Sequence, residues 1–517
     1  MLLHQTLENA ARDHGAKVAL KCGTVTYTYA DIDRQANTLA QFLRSRGVKR
    51  GDRVATFLDN GIEAMVSIYA ALKCGAVFMP INPLTKKDKL TYMLNDARAS
   101  ALIAHDILAS EFVDSLQVNK TVTTCVVVGD NDLGPDAAKL GDKLVKWSQA
   151  LSGPSAIARE PWEQEIIDQD LAGLIYTSGS TGDPKGVMLT HLNMITAARS
   201  ISTYLELAHD DIIVCVLPLA FDYGLYQVLM SVLKGATVIM ETSFAFPVKV
   251  LETMVREKVT VFPGVPTVFS LLLNLKTLRN YDLSSLRKIT NTAAALTEEH
   301  IKQLRGLFPH AQLYSMYGLT ECKRVTYLPP SQLDIRPTSV GRGMPNEEVW
   351  LVDENGQRLP NGSTGELVIR GSNVMRGYWE KPAATAERLK PGPIPGEMIL
   401  YSGDLFRTDS EGWLYFVARK DDIIKSRGEK VSPKEVENAL YSLEGVLDAA
   451  VIGVDDPILG QAVKAFLVMK EGKTYTEREV IKFCLSRMES FMAPKYVQFV
   501  AELPKTNTGK IKKTGLS

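Results

Sequence analysis

Residues 171–191 constrain what this chain can build more than any other stretch. LAGLIY (171–176) is a continuous apolar run of the length of a buried strand. It leads directly into Thr177, Ser178, Gly179, Ser180, Thr181 and Gly182, a loop of small hydroxyl residues and glycines. Glycines let a backbone turn tightly and approach a bulky anion. Successive N–H groups and hydroxyls in such a loop can ring the phosphates of a nucleotide, and a strand delivering a glycine-rich loop is a common way to present them. Lys185 adds a mobile positive charge just beyond. The order Gly-x-x-x-x-Gly-Lys-Ser/Thr does not occur, so the loop is not of the Walker type.

On either side, β-rich runs alternate with helical patterns. A hairpin is expected at VALKCGTVTYTY, turned at Cys22-Gly23. Apolar residues at helical spacing (Ile32, Ala36, Leu39, Leu43) predict a helix over 29–46. RVATFLD, AVFMPINP, ALIAH and CVVVG read as strands with helices between them, and residues 130–170 as a polar surface excursion with weak helical pieces. After the loop the alternation resumes, through DIIVCVLP, ATVIM, VTVFPG, LRKITNT and QLYSMYG. Strands alternating with helices argue a parallel sheet covered on both faces.

Beyond Gly318 the texture changes to short β segments with turn residues, and from about residue 421 to a compact α+β pattern opened by the Ser-Pro helix start of SPKEVENALYSL. The expected fold is therefore α/β. Residues 1–420 form a large N-terminal domain with parallel-rich sheets covered by helices plus a β-rich subdomain, and residues 421–517 a small, mobile α+β C-terminal domain. The charged RKDD run fits an exposed joint between them.

Bulk properties remove several classes of function. Lys plus Arg equals Asp plus Glu at 59 each, which gives no support for a nucleic-acid-binding surface. The six cysteines are far apart and form no C-x-x-C, as suits a reduced cytoplasmic protein better than a disulfide scaffold or a zinc site. The first residues lack a secretory pattern, and no run of about eighteen apolar residues predicts a transmembrane segment.

The sixteen residues YTSGSTGDPKGVMLTH (176–191) closely resemble the signature loop of the adenylate-forming enzymes: acyl-CoA synthetases, amino-acid adenylation domains and beetle luciferase. The resemblance extends over nearly the whole chain and implies that this loop holds the β- and γ-phosphates of ATP. YGLTE (317–321) follows a predicted strand, where ligands of parallel sheets sit. It implies Tyr317 and Gly318 beside the purine, Thr320 on a phosphate and Glu321 on Mg²⁺, a hard cation that prefers oxygen. NTAAAL (291–296) implies Ala294 and Ala295 along adenine, although the family more often has glycine here. YSGDL and FVARKDD imply Asp404 and Arg419 on the ribose, with Asp404 after a tight turn, and Asp421 at a hinge.

KSRGEKVSPKEVE resembles the loop that closes the thioester-forming conformation, with Lys425 and Lys430 lining the approach and Gly428 letting a pantetheine arm pass. PKTNTGK implies Lys510 as the cation that bridges the substrate carboxylate and the α-phosphate. Phe221, Asp222, Ala293 and Met316 are implied around the carboxylic acid substrate.

The implied activity is a two-step ligation. A carboxylate and Mg·ATP give an acyl adenylate and pyrophosphate, and a thiol of CoA or of carrier-protein phosphopantetheine then displaces AMP. Two alternatives stand beside a fatty or other acyl acid as substrate. Asp222 matches the residue that binds the ammonium in amino-acid adenylating enzymes that load a peptidyl carrier protein. The chain could also be a nucleotide-binding protein without catalysis, and a luciferase-like oxidation is a more remote reading.

Overall fold

Apolar strands with few polar positions have to be covered on both faces, and the alternating helices supply that cover. A computed structural model describes residues 1–155, 166–177, 184–292, 296–426, 429–456, 459–488, 490–505, 511–513 and 515–516. Among them, one sheet has nine strands in the order Arg342–Gly343, Thr326–Leu328, Gln312–Tyr317, Lys288–Asn291, Val261–Gly264, Ile212–Cys215, Thr237–Met240, Val18–Cys22 and Val25–Thr28. Its centre is parallel and its two ends turn antiparallel. Asn291 pairs with Ser315 in register, so the carboxyl ends of those two strands lie side by side.

The second sheet has eight strands, in the order Gly377–Tyr378, Lys185–Thr190, Leu171–Thr177, Val77–Ile81, Arg53–Phe57, Ala99–His105, Thr124–Val128 and Leu144–Lys146. Two features depart from the sequence expectation. Leu144–Lys146 pairs in parallel with Thr124–Val128, so the stretch read as a surface excursion contributes an edge strand. Three residues are too short a run for periodicity to reveal; the pairing of Val145 with Val126 is what defines the strand. Leu171–Thr177 and Lys185–Thr190 also pair antiparallel, with Thr177 opposite Lys185, so the glycine-rich stretch joins two strands of one hairpin.

The helices Ile62–Lys73, His191–Tyr204 and Asp222–Lys234 are buried along most of their length. One apolar core takes in Val54 and Phe78 of the eight-stranded sheet, Tyr69 and Leu225 of these helices, and Val214 and Ile289 of the nine-stranded sheet. Helices that are apolar on all sides fit only between two layers. Thr190 starts His191–Tyr204 immediately after the hairpin. Its hydroxyl accepts from the Asn193 N–H at 3.1 Å while the Asn193 side chain accepts from the Thr190 N–H at 2.8 Å. Such a cap contributes about 1 kcal/mol and fixes where the helix begins.

Glu347–Val352, Thr364–Gly371, Met398–Thr408, Leu389–Pro391 and Leu414–Arg419 form an antiparallel β-rich unit. The expected turn at Asp353 is present, its carboxylate accepting from the N–H groups of Asn355 and Gln357. From Ile424 onward an α+β unit has its own core, including Ile424, Val436, Leu440, Val451 and Leu467. Its first helix, Pro433–Tyr441, starts as expected on Ser432, whose hydroxyl accepts from the Glu435 N–H. No helix among the described residues is long and apolar enough to cross a membrane.

The N-terminus is pinned to this body through His191, which is 2% exposed. Its Nδ1 accepts from the Leu3 N–H at 2.9 Å, and the His4 ring stands edge-on to it at 6.0 Å. Burial, with His4 alongside, lowers the His191 pKa to about 3. An unfolded imidazole titrates near 6.5, so between these values the unfolded chain binds more protons and stability falls as pH falls. The thermal unfolding midpoint should therefore drop between about pH 6.5 and pH 5. His191→Gln should remove part of that slope in a scan by differential fluorimetry, and an unaltered slope in the variant would contradict the assignment.

Candidate active site

Tyr317 ends a parallel strand, and the chain reverses at once, so that Tyr317 lies opposite Thr326 on the returning strand. The loop between them closes on itself. The Val325 N–H donates to the Tyr317 carbonyl at 2.9 Å and the Lys323 N–H to the Leu319 carbonyl at 2.7 Å. A Cβ on Gly318 would stand 2.0 Å from the Lys323 carbonyl oxygen, so only glycine fits. This loop sets the positions of Tyr317, Thr320, Glu321, Lys323 and Arg324 together.

On one side the Tyr317 hydroxyl donates to Asp404 Oδ2 at 2.5 Å. Its ring packs edge-on against Phe406 at 4.8 Å and near Phe416 at 6.3 Å. Burial and the Asp404 charge push the Tyr317 phenol well above its usual range, which keeps it a donor. Asp404 lies within the strand Met398–Thr408, opposite Arg419, and is 7% exposed. This corrects the placement of Asp404 after a tight turn. Gly403 does take a left-handed φ of 71°, but it kinks a continuing strand instead of reversing it. Arg419 Nε is 3.8 Å from Asp404 Oδ1, so the two residues expected on a ribose are neighbours.

On the other side Glu321 Oε1 accepts from the Tyr378 hydroxyl at 2.6 Å. Burial and the Glu321 charge keep that phenol protonated. Tyr378 belongs to the two-residue strand that pairs with Val187, and Lys185 Nζ stands 5.5 Å from its ring centroid. Tyr378 thus joins the exit of the glycine-rich hairpin to Glu321. Sequence reading did not find it, because a Gly-Tyr-Trp between two β segments carries no local sign of a partner 57 residues away. Thr177 and Thr320 are half-buried at this end.

Around the start of the helix Asp222–Lys234, Phe221 occupies the cap position. Asp222 Oδ1 accepts from Lys323 Nζ at 2.6 Å, and the Lys323 side chain is 1% exposed. Tyr223 donates to the Thr290 carbonyl at 2.7 Å, and Arg324 lies over the Tyr223 ring at 4.5 Å. Met316 packs under Tyr204, which donates to its sulfur at 2.9 Å. Lys323 and Arg324 also escaped sequence reading, since basic residues beside a loop ordinarily face water. Ser178, Gly179, Ser180, Thr181, Gly182, Ala293, Ala294, Ala295, Gly428 and Lys510 lie outside the described residues, as do the side chains of Asp421, Lys425 and Lys430. The backbones of Lys425 and Lys430 face each other across a short hairpin.

A cavity of about 310 Å³ lined by Arg342, Trp350 and Leu359 lies in the β-rich unit and involves none of these residues. The strand ends themselves present an acceptor pair at Asp404 and Glu321, a lysine at the hairpin exit, and a buried charged cluster behind them. This is a mixed α/β protein with a group of polar side chains between a parallel-sheet body and an antiparallel unit.

The model of the AMP-binding enzyme family matches residues 7–379, and that of the AMP-binding enzyme C-terminal domain matches residues 435–510; the chain belongs to this family of adenylate-forming enzymes. It is 32% identical to a long-chain-fatty-acid–CoA ligase of Bacillus subtilis, over 99% of this chain and 94% of the relative. Among solved structures it resembles the anthranilate CoA ligase AuaEII in complex with anthranoyl-AMP, with a TM-score of 0.89 at 27% identity, over 99% of this chain and 95% of that one. It also resembles ATP-bound MatB from Rhodopseudomonas palustris, with a TM-score of 0.87 at 28% identity, over 99% and 98% of the two chains.

The Asp222–Lys323 pair carries a stability expectation. Removing one partner of a buried ion pair leaves the other charge uncompensated, at a cost of about 3–5 kcal/mol. Lys323→Met should therefore lower the thermal midpoint, and adding Asp222→Asn should recover most of the loss. A double variant no more stable than the single one would show that the two charges are not coupled.

Proposed function

We propose that this chain is an ATP-dependent, AMP-forming acid–CoA ligase. One observation carries the reading. The Tyr317–Asp404–Arg419 group and the Glu321–Tyr378–Lys185 group converge at the same strand ends, one suited to a ribose and the other to phosphates. Asp404 accepts from the ribose hydroxyls, and Tyr317 holds its carboxylate in place. The hairpin loop and Lys185 hold the β- and γ-phosphates. A lone carboxylate completed by phosphate oxygens and water is a donor set that Mg²⁺ accepts, so Glu321 would hold that ion, which supplies charge neutralisation at the phosphates.

In the first step a carboxylate oxygen of the acid attacks the α-phosphorus, and the bond to the bridging oxygen of pyrophosphate breaks. The nucleophile is already ionised, so no base is required, and Lys510 neutralises the charge that develops at phosphorus. In the second step the CoA sulfur attacks the acyl carbon and AMP leaves. Lys425, Lys430 and Gly428 serve this step, after the unit beyond residue 420 turns about Asp421. The hairpin pairing of Lys425 with Lys430 supports a loop of this kind. CoA is favoured as acceptor by the CoA ligases among the similar proteins. The free cysteines, five of them buried, fit a cytoplasmic enzyme.

Asp222 supports an acyl acid over an amino acid. Its carboxylate already pairs with Lys323, the position a substrate ammonium would need. ATP–pyrophosphate exchange over fatty, aryl, dicarboxylic and amino acids separates the readings, and exchange confined to amino acids and lost in Asp222→Ala would overturn this one. Lys510→Ala should slow adenylation at least a hundredfold while sparing thioester formation from supplied acyl adenylate. Asp404→Ala should weaken AMP binding at least tenfold by calorimetry, because a charged acceptor of two hydroxyls is lost. Unchanged affinity would remove the ribose role.

A further inference from the structure

Arg324 is 3% exposed, and its Nε is sealed from solvent with no hydrogen-bond partner among the described residues. No ion pair compensates it among the described residues. Its guanidinium rests on the Tyr223 ring, 4.5 Å from the centroid, and a ring face only partly replaces the hydration an arginine gives up.

The surrounding charges leave this cation unmatched. Lys323 and Asp222 cancel each other. Glu347, half-buried, shares the Asn373 amide with the Arg324 carbonyl. Its Oε1 accepts from Asn373 at 2.9 Å, its Oε2 has no partner among the described residues, and burial pushes its carboxyl well above the usual range. Tyr204, Tyr223 and Tyr226 are held protonated by burial. None of these groups forms an ion pair with the guanidinium among the described residues. A permanently unpaired buried guanidinium is costly to keep, and a ligand that brings a negative charge removes that cost.

The location fits such a ligand. Arg324 directly follows Lys323, which is tied to the first residue of the helix Asp222–Lys234. Tyr223 beneath it bonds Thr290, at the end of the strand Lys288–Asn291. Thr292, two residues further on, is buried, and its hydroxyl has no partner among the described residues. The guanidinium is thus held against the first turn of the helix Asp222–Lys234, and the hydroxyl directly follows the strand Lys288–Asn291.

Resting on the ligase reading, we infer that Arg324 determines specificity for an acid that carries a second anionic group. One carboxylate faces the nucleotide and reacts. The far carboxylate, or a comparable anion, pairs with the guanidinium, whose planar fork matches a carboxylate through two parallel hydrogen bonds. A plain hydrocarbon chain in the same place leaves the arginine unpaired and is rejected, because a site built for a polar group discriminates strongly against an analogue that lacks it.

The test compares matched acids in ATP–pyrophosphate exchange: glutarate against pentanoate, adipate against hexanoate, phthalate against benzoate. The full-length enzyme should favour the dianions at least a hundredfold in kcat/KM. Arg324→Met should lower the dianion values at least a hundredfold, mainly through KM, and leave the monoacids within about threefold. Arg324→Lys should restore part of the preference, which separates recognition from misfolding. Equal use of mono- and dianions by the native enzyme, or an equal loss for both in Arg324→Met, overturns the inference. Absence of exchange with every acid overturns the ligase reading instead. Calorimetric titration with the same dianions then decides the inference alone: binding lost in Arg324→Met upholds it, and no binding to the native enzyme overturns it.

Discussion

The reversal at Gly318 is the constraint on which the site depends. The carbonyl of Lys323 comes so close to Gly318 that no side chain fits there, and the loop closes through two backbone hydrogen bonds. That closure sends Tyr317 toward the β-rich unit, Glu321 toward the hairpin edge, and Lys323 with Arg324 into the body. Three chemically distinct surroundings are thereby addressed from one short turn. None of them could be adjusted by lengthening the loop without displacing the other two.

Around this turn the molecule uses hydroxyl groups of tyrosine as braces. Tyr317 fixes Asp404, Tyr378 fixes Glu321, and Tyr223 fixes the helix Asp222–Lys234 to the strand Lys288–Asn291. A buried phenol suits the task because its pKa rises with burial, so it stays a donor and adds no charge. Asp404 and Glu321 are thereby oriented without being neutralised. The lysine on Asp222 is a different device, since it cancels the charge it holds.

Much of this was legible in the sequence where the signal is local. The alternation of strands and helices, the Ser432 cap, the turn at Asp353 and the hairpin at the N-terminus all follow from short patterns, and the structure has each of them. The grouping of Asp404 with Arg419 was legible only through motif resemblance, and its setting in a continuous strand was not. A glycine before an acidic residue reads as a turn, and only the pairing with Leu414–Arg419 turns it into a kink. Tyr378, Lys323 and Arg324 were invisible for a related reason. What makes them matter is burial against residues many positions away, and a pair of basic residues looks the same on paper whether it faces water or an apolar interior. Leu144–Lys146 became a strand only because a neighbour offered a free edge.

The hairpin that carries the glycine-rich stretch has a consequence for how the chain is made. Its outer strand, Lys185–Thr190, lies at the margin of its sheet, and what covers it comes from far downstream: Gly377–Tyr378 pairs with it, the Arg376 N–H donates to Met188 and the Trp379 N–H to Gly186. Until the ribosome has released residue 379, that margin stays open, and an uncovered strand edge is a template for pairing with other nascent chains. A fragment ending before this point would keep the glycine-rich stretch and lack the residues that cover this margin.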